Sequence, residues 1–555
     1  MKPTHTSIEH LEARIAPAGL VLAVYDPATH ELALTGDDLD NKIAIFQISK
    51  FTWRIEGRDT AGLDPVLETA INVLGETQFD VGTIAKLTIA TAGGNDRLEI
   101  TNLTTLTSVN VDTGAGDDSV KTEGFVVKGN AFFATGAGVD TVEFDGLVGK
   151  ISGNLGISDT ADGLTFTFRA EQATVGGSVT YVGSSAADIL TMTTDTMLKI
   201  GKRIDFTANG GSDRLTFGSE GTISIGRDAM GRSIIYNGGI GNDRIAIGSS
   251  SVSILGSVEM TGDLGNDRIT LDGLKISVGK SRAGVSVQLV GGDGKDQIGI
   301  HGSTVKVGGL VSLDGGLGDD LLDLSGNHNL TLKGGAHFDG GAGFDEFKVG
   351  ADNLLVTGNF LFEGGDDFDQ ADIEANGSIK GAVTLHLGGA LIDEQFVGIR
   401  GRSGLPNSLK ITGAVTADTT GDAATTDLIK LTNVSIGGAL TVSLGEGASS
   451  VDFDNVNAGA VSIDTRGGND DVVIEGDGNY GISTFRKLAT ILLGVGDDSL
   501  TIGDGSEDNL VRFLANIIAD GGDGTDTRSD LVADNSSAGV VNLTDTAFEV
   551  VLPPS

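Results

Sequence analysis

The chain has 555 residues, of which 86 are glycine, 7 are proline and none is cysteine, and its 77 acidic against 37 basic residues give a net charge of −40. This charge repels nucleic-acid phosphates and anionic lipid surfaces, so neither nucleic acid nor a membrane is expected as a partner. The lack of cysteine excludes disulfides, thiol nucleophiles and thiolate metal sites. No apolar run approaches the ~20 residues that a membrane helix needs.

The first nineteen residues form a segment of their own. Leu11, Glu12 and Arg14 stand in an L-E-x-R pattern that small apolar residues follow. This pattern resembles the LEPR-XLL-type N-terminal segment of large exported surface proteins of planctomycete type, with Ala13 at the position where that family usually has proline. The resemblance implies export to an extracellular or cell-surface location.

Residues 20–90 are expected to cap the first end of a repetitive fold. Two apolar runs flank the turn at residues 26–29 and predict a hairpin. Residues 36–45 contain a divergent copy of the glycine–aspartate loop that recurs further along the chain. A short helix is predicted over residues 61–74, where Asp64-Pro65 opens an apolar segment.

From residue 91 to residue 530 the chain repeats a loop of the form G-G-x-G-x-D-x-apolar, with most steps between successive aspartates at 22 to 30 residues. Full copies place the aspartate at Asp243, Asp296, Asp320 and Asp345, and looser copies place it at Asp96, Asp118, Asp140, Asp213, Asp267, Asp369, Asp470, Asp498 and Asp526. Two longer gaps predict degenerate copies around Asp162, Asp188, Glu394, Asp427 and Val451. The total is about 18 units of roughly 25 residues, which is a solenoid period.

Each unit contains three short runs in which apolar and polar residues alternate. After Asp320 these runs are 321–324, 330–332 and 336–338, and Gly, Asn and Asp residues separate them. Alternation of this kind predicts strand–turn–strand–turn–strand. A helix would need apolar residues at i, i+3 and i+4, and each interior glycine would cost it about 1 kcal/mol.

The predicted fold is therefore all-β, a parallel β-helix (β-solenoid) over residues 91–530 with about three short strands per coil. Residues 531–555 are expected to form the second cap. Phe144, Phe217 and Phe347 follow loop aspartates at an inward-facing spacing, which predicts that they lie in the core.

The glycine–aspartate loop is similar to the nonapeptide of the RTX family of exported proteins, which binds calcium in a parallel β-roll. The resemblance implies calcium held by carboxylates and turn carbonyls. RTX loops recur every nine residues and face each other across a coil, whereas here one loop occurs per coil, so only stacked neighbours are expected to share an ion. A second acidic column six residues before the loop aspartates, as at Asp314, Asp339 and Glu363, marks the expected places. The candidate calcium ligands are Asp293, Asp296, Asp314, Asp319, Asp320, Asp339, Asp345, Glu363, Asp366, Asp367, Asp369, Asp520, Asp523 and Asp526.

A structural interpretation of the same aspartates stands beside the calcium one. Stacked carboxylates about 4.8 Å apart repel each other, and bound calcium would offset this repulsion. Alternatively, each aspartate accepts backbone N–H groups within its own turn, and adjacent bases neutralise part of the column. These bases are Arg97, Arg214, Arg244, Arg268 and Lys295.

The function expected from these features is that of an exported structural or adhesive rod, which self-assembles or contacts cell-surface glycans. The alternative is a β-helix polysaccharide lyase or hydrolase, with Glu363, Asp366, Asp367 and Asp369 as the first candidates for acid–base work. Sugar sites usually offer aromatic platforms, and one tryptophan and four tyrosines are few for that purpose. The non-enzymatic function is therefore preferred.

Overall fold

The computed structural model describes residues 19–58, 69–72, 76–102, 104, 106–280, 284–389, 394–402, 408–419, 426–475, 481–503, 509–530, 543–546, 548 and 550–552. These residues form strands, turns and loops; they include no helix, and hence no helix that could cross a membrane. They build a parallel β-solenoid with a spacing of about 25 residues, which confirms the predicted fold class; its turns number about 16, slightly fewer than expected. The chain divides into two compact units, Met1–Met192 and Thr193–Ser555.

The first unit contains the strands that precede residue 193. They are β1 Leu20–Asp26, β2 Glu31–Thr35, β3 Lys42–Ser49, β4 Thr52–Gly57, β5 Ala70–Ile71, β6 Gln78–Val81, β7 Lys86–Ala90, β8 Arg97–Thr101, β9 Ser108–Asp112, β10 Ser119–Glu123, β11 Val126–Val127, β12 Ala131–Ala134, β13 Asp140–Ile151, β14 Leu155–Ser158, β15 Leu164–Val175 and β16 Val179–Val182, and β17 Ile189–Ile200 begins there. Strands β7, β9, β12, β14 and β16 stack in parallel as one sheet, and β8, β10, β13 and β15 stack as another.

Antiparallel strands precede the first regular coils. β1 and β2 form a hairpin, and β3, β4 and β6 form an antiparallel meander. β2 and β3 then pair in parallel with β7 and β8. The segments 1–18 and 59–68 lie outside the described residues, so most of the helix predicted over 61–74 does too; its described part contains the strand Ala70–Ile71.

The second unit repeats the same coil. Its strands are β18 Ile204–Thr207, β19 Arg214–Ile225, β20 Arg232–Ile240, β21 Arg244–Ile254, β22 Ser257–Leu264, β23 Arg268–Val278, β24 Val285–Asp293, β25 Gln297–His301, β26 Thr304–Val307, β27 Leu310–Leu317, β28 Leu321–Leu332, β29 Ala336–Ala342, β30 Asp345–Val356, β31 Phe360–Asp366, β32 Asp369–Ile379, β33 Val383–His386, β34 Glu394–Arg400, β35 Leu409–Ile411, β36 Val415–Asp418, β37 Thr426–Thr432, β38 Val434–Ile436, β39 Leu440–Ser443, β40 Ser450–Asp454, β41 Asn457–Ala458, β42 Val461–Asp464, β43 Asp471–Ile474, β44 Gly481–Phe485, β45 Ala489–Leu492, β46 Ser499–Ile502, β47 Asn509–Phe513, β48 Ile517–Asp520, β49 Thr527–Asp530, β50 Leu543–Thr546 and β51 Val550–Leu552. Within the segment 531–555, β50 and β51 pair in parallel with β48 and β49 and so extend the coil pattern.

One coil of the second unit shows how the three strand segments are arranged. β25 and β26 pair with β23 and β28 in one sheet, whereas β27 pairs with β24 and β29 in the other. In some coils the first two segments merge into one strand, as in β28. The prediction of three segments per coil is therefore confirmed, with two of them continuous in part of the solenoid.

In most of the described strands, alternate residues point into the space between the sheets. Phe144 is 2% exposed and Phe217 and Phe347 are fully buried, as the spacing predicted. The Phe347 ring centroid lies 4.0 Å from that of Phe338 and 5.3 Å from that of Phe362. Burial of one such ring contributes about 1.5–3 kcal/mol, and this stacked core fixes the outward residues on the sheet surfaces.

Candidate functional site

The loop aspartates lie inside the coils, where they bond one coil to the next. The backbone N–H of Asp243 donates to Oδ1 of Asp267 at 2.6 Å, and that of Asp296 donates to Oδ1 of Asp320 at 2.7 Å. For these two aspartates the expected donor within the same turn is wrong, because the donor comes from the preceding coil; Asp188, in contrast, accepts the N–H of Ser184 in its own turn at 3.0 Å. We call this set the aspartate ladder: Asp96, Asp118 and Asp140 in the first unit, and Asp213, Asp243, Asp267, Asp296, Asp320, Asp345, Asp369, Asp470, Asp498 and Asp526 in the second.

The degenerate loops keep the ladder position, and two of them keep its aspartate. Asp188 accepts the N–H of Leu164 at 2.7 Å and strand register puts Asp427 at this position, both as predicted. The other ladder positions in these coils are one or two residues away from the predicted Asp162, Glu394 and Val451, and are held by Leu164, Gln395 and Ser449. The loop copy predicted within residues 36–45 has Asn41 at this position, since its N–H donates to Oδ1 of Asp96 at 2.7 Å.

Two of these replacements carry a side-chain amide, and both amides act as donors. Nδ2 of Asn41 donates to the carbonyl oxygen of Leu39 at 2.6 Å and to that of Asp37 at 3.1 Å. Nε2 of Gln395 donates to the carbonyls of Leu387 and Gly388 at 3.2 and 3.1 Å. The inner end of the ladder side chain therefore meets backbone acceptors of its own loop.

The aspartates place a second carboxyl oxygen at this inner end. In six of them, Oδ2 is buried and has no hydrogen-bond partner: Asp267, Asp296, Asp320, Asp345, Asp369 and Asp498. Burial raises the pKa of Asp296 and Asp498 to about 6, of Asp267 and Asp345 to about 7, and of Asp320 and Asp369 to about 8. A protonated Oδ2 supplies the donor that the amides of Asn41 and Gln395 supply, so a substantial share of these carboxyls is neutral at pH 7.

The first two glycines of the loop have different roles. A Cβ at Gly315 would collide with Oδ2 of Asp320, so this glycine makes room for the ladder side chain. Gly316 has a φ of 107°, and a Cβ there would collide with the carbonyl oxygen of Gly292. Glycine is thus required at one position by packing and at the next by the backbone conformation as well.

An exposed second ladder runs beside the first in the opposite direction. Where the residue before a ladder aspartate is Asn or Asp, its side chain accepts an N–H from the following coil: the N–H of Asn266 donates to Oδ1 of Asn242 and that of Lys295 to Oδ1 of Asn266, both at 2.7 Å. Asp319 accepts from the N–H of Phe344 at 3.2 Å. An adjacent Asn-Asp or Asp-Asp pair therefore bonds the coil that carries it to both neighbouring coils.

The bases expected to neutralise the ladder contact other groups. Arg97 pairs with Glu99 at 2.7 Å, and Lys295 lies 3.6 Å from Asp319. Nη1 of Arg268 donates to the side chain of Gln297 at 2.7 Å. For these three bases the prediction is wrong, because the ladder carboxyls lie inside the coil and the bases lie outside it.

Replacement of Asp267 tests the ladder. Asp267→Ala removes the acceptor for the buried N–H of Asp243 and is expected to cost about 1–3 kcal/mol of unfolding free energy. Asp267→Asn retains that acceptor and places an amide donor at the inner end, as Asn41 does, so we expect a cost below about 0.5 kcal/mol at pH 8. Urea unfolding of the full chain measures both, with exposed Asp293→Ala as the control; equal losses for the Ala and Asn variants at position 267 would contradict the assignment.

A second cluster lies on the outer surface of strands β27, β29, β31, β33 and β36. We call it the histidine–carboxylate column, and it consists of Asp314, His337, Asp339, Glu363, His386 and Asp418. The expected stacking of Asp314, Asp339 and Glu363 in consecutive coils is confirmed by their register. His337, Asp339 and Glu363 each offer one ligand atom, and these three atoms lie within 4.8 Å of one another.

The histidines of the column bond to its carboxylates. Nε2 of His337 lies 2.7 Å from Oε2 of Glu363, and Nδ1 of His386 lies 2.6 Å from Oδ2 of Asp418. Burial, followed by repulsion from the next carboxylate along the column, raises the pKa of Asp314 and of Asp339, and His337 partly opposes both shifts. The column is thus a crowded, half-buried acidic row with imidazole beside it.

The other candidate ligands are dispersed. Asp293 and Asp366 occupy one row of loop positions but are three coils apart, with Leu317 and Ala342 between them. Asp367 is exposed in the same loop as Asp366. Asp520 pairs in register with Leu492, and Asp523 forms a bridge with Val495. The structure therefore divides the predicted ligands into the buried ladder, the exposed column and single exposed carboxylates.

A cavity of about 340 Å³ on the other sheet was not predicted from sequence. Its wall includes His301, whose Nδ1 lies 3.0 Å from Asp272 and whose Nε2 lies 3.2 Å from Asp323. Hydrogen bonds to these two carboxylates raise the pKa of His301 to about 9, so the imidazole is charged at pH 7. A Cβ at Gly299 would lie 2.5 Å from the imidazole, so glycine leaves room for the ring to lie across the strand.

The residues proposed for acid–base catalysis do not form an exposed pair with Asp369. This residue is fully buried and its Oδ1 accepts the N–H of Asp345, while Glu363 contacts His337. Trp53, Tyr181 and Tyr236 are buried, so these aromatic rings offer no surface for stacking on a sugar. Comparison with protein-family models, with curated proteins and with solved structures finds no match, and the site is therefore interpreted from its own chemistry.

Proposed function

We propose that the protein is an exported structural or adhesive β-solenoid that acts outside the cell or at the cell surface. The observation that carries the proposal is the aspartate ladder, in which the most repeated ionisable residue of the chain is buried and bonded to the neighbouring coil. Carboxyls that are buried in this way hold neighbouring coils together and are not available for chemistry at the surface. The L-E-x-R segment at Leu11, Glu12 and Arg14 supports the proposed location.

Self-association is proposed to occur through lateral surfaces. Among the described residues the outermost strands are β5 and β6, of two and four residues, and β50 and β51, of four and three. Short edges offer few unpaired backbone groups, so they are poor templates for end-to-end strand pairing. Calcium, which the loop resemblance implies, is proposed to act at exposed carboxylates such as Asp366 and Asp367, because the ladder carboxyls are buried.

The proposal is tested on the purified full chain and on intact cells. We expect size-exclusion chromatography with light scattering to show concentration-dependent assembly. Negative-stain microscopy is expected to show sheets or bundles in the presence of calcium, and fewer of them after a chelator is added. Protease treatment of intact cells is expected to degrade the protein. A monomer under all conditions, together with protection from protease in intact cells, would overturn the proposal.

The cavity beside His301 favours one second candidate, an enzyme that acts on polysaccharides. Its volume lies in the range of small-ligand sites, and a charged imidazole between two carboxylates is a group that can donate a proton. Acidic polysaccharides are incubated with the protein, and release of reducing ends and of unsaturated product is measured. Turnover that is lost in His301→Gln and kept in His328→Gln, whose imidazole pairs with Asp352 elsewhere, would favour the enzyme over the structural protein.

A further inference from the structure

We propose that His337, Asp339 and Glu363 form a binding site for a divalent transition-metal ion of the zinc type, which links two consecutive coils. The inference concerns a single site on the isolated chain and does not depend on where the protein acts or on whether it assembles. It also differs from the calcium expected from the loops, because the ligand set includes imidazole.

The backbone fixes where the three side chains start. His337 and Asp339 are two residues apart on β29, so they project from the same outer surface of the sheet. Glu363 lies on the adjacent strand β31 in register with Asp339. The hydrogen bonds between the strands hold these positions, so the ligand set is organised before an ion binds.

The spacing suits a small ion after modest side-chain rotation. The three ligand atoms lie within 4.8 Å of one another, whereas ligands at about 2.0–2.2 Å from a tetrahedral ion are roughly 3.3–3.6 Å apart. The side chains of His337 and Glu363 are 34% and 47% exposed, so rotation is open to both. Nε2 of His337 now bonds to Glu363; on binding it turns its lone pair to the ion, and any proton it carries is released.

His386 and its partner Asp418 lie on the next two strands beside the site, outside the set of three ligands. His386 lies in register with Glu363, and its Nδ1 bonds to Asp418 at 2.6 Å. Asp314 lies in register with Asp339 on the opposite side and places another carboxyl beside the site.

The chemistry of the donors selects the ion. Calcium prefers six to eight oxygen ligands, whereas imidazole favours zinc, nickel and copper. A set of one nitrogen and two carboxylates, with a position left for water, uses ligand types that zinc binds. Zinc is therefore expected to bind at least 100-fold more tightly than calcium at this site.

Titration of the metal-stripped full chain with zinc chloride in a calorimeter tests the proposal. We expect one saturable site that a 100-fold excess of calcium does not block. His337→Gln and Glu363→Gln are each expected to weaken binding at least tenfold. His328→Gln is the matched control, because its imidazole also pairs with a carboxylate but lies on the other sheet, and it should bind zinc as the unaltered chain does.

Circular dichroism shows whether each variant keeps its fold, which is expected since the altered side chains lie outside the core. Absence of saturable zinc binding would overturn the proposal. The proposal would also be overturned if His337→Gln left zinc binding unchanged, or if an equimolar amount of calcium displaced the bound zinc. None of these outcomes depends on assembly or export, so failure here is distinguishable from failure of the structural role.

Discussion

Phe347→Ala is expected to destabilise the second unit by about 3–5 kcal/mol. The ring is fully buried and contacts the rings of Phe338 and Phe362 from β29 and β31 of the facing sheet. Its neighbours in register on β28 and β32 are Leu322 and Ala371, so no aromatic ring lies beside it within its own sheet. The loss combines burial, ring contacts and a cavity.

Phe344→Ala is the control in the same coil. That ring is half-exposed and stacks on Phe368 with a centroid distance of 4.9 Å, so its removal is expected to cost about 0.5–1.5 kcal/mol. Urea unfolding measures the global effect, and hydrogen exchange of the amides in β30 detects unfolding confined to a few coils, which repeat folds permit. Equal losses of unfolding free energy in the two variants would contradict the assignment of Phe347 as a main contributor to the core of this coil.

Raising the pH from about 5 to about 8 is expected to lower the melting temperature. Ladder carboxyls such as Asp320 and Asp369 have a pKa raised to about 8 in the folded chain, against an ordinary value of 3.8. Between these values the folded state holds protons that the unfolded state has lost, so stability falls as pH rises. The contribution is complete below about pH 4 and is lost as pH passes through about 6 to 8, and several coils add to it.

Asp320→Asn combined with Asp369→Asn isolates the ladder contribution. The amides hold their donors at every pH, so the decline of the melting temperature between pH 5 and 8 is expected to be shallower. Repulsion among the charges that give the net charge of −40 also lowers the melting temperature as the pH rises. The scans are therefore repeated at high salt, which screens this repulsion. A melting temperature that rises with pH, or a slope that the double variant keeps, would contradict protonated ladder carboxyls.

The strand pattern was readable from the sequence because each side of a strand meets a different environment. The runs after Asp320 alternate, and the structure buries Leu322 and Leu324 on the same side as the aspartate. The same period of two carries a signal that sequence reasoning missed: Asp345, Phe347 and Val349 all point inward, so the loop aspartate belongs to the buried set. Its bonding partner was not readable, because the donor is a backbone group at least 21 residues away along the chain.

Of the histidine–carboxylate column, only Asp314, Asp339 and Glu363 were predicted. They share a constant offset from the loop aspartates, and a constant offset becomes a stacked column when coils are in register. His337 was missed because the seven histidines of the chain show no H-x-x-x-H grouping, which is the spacing that marks a metal site on a helix. On strands the relevant spacings are two residues along the chain and one whole coil across it.

The ladder bonds run from a carboxyl to a backbone N–H, and every non-proline residue offers the same N–H. A coil therefore does not need a particular side chain in the coil before it, as the Leu164 and Ser449 positions show by donating to Asp188 and Asp470. Gene duplication or deletion of one whole coil, such as residues 297–320, would leave each new junction with an intact bond. The carboxyl–N–H bond between coils therefore permits lengthening of the solenoid by duplication. The number of coils can change among descendants while the cross-section of a coil stays constant.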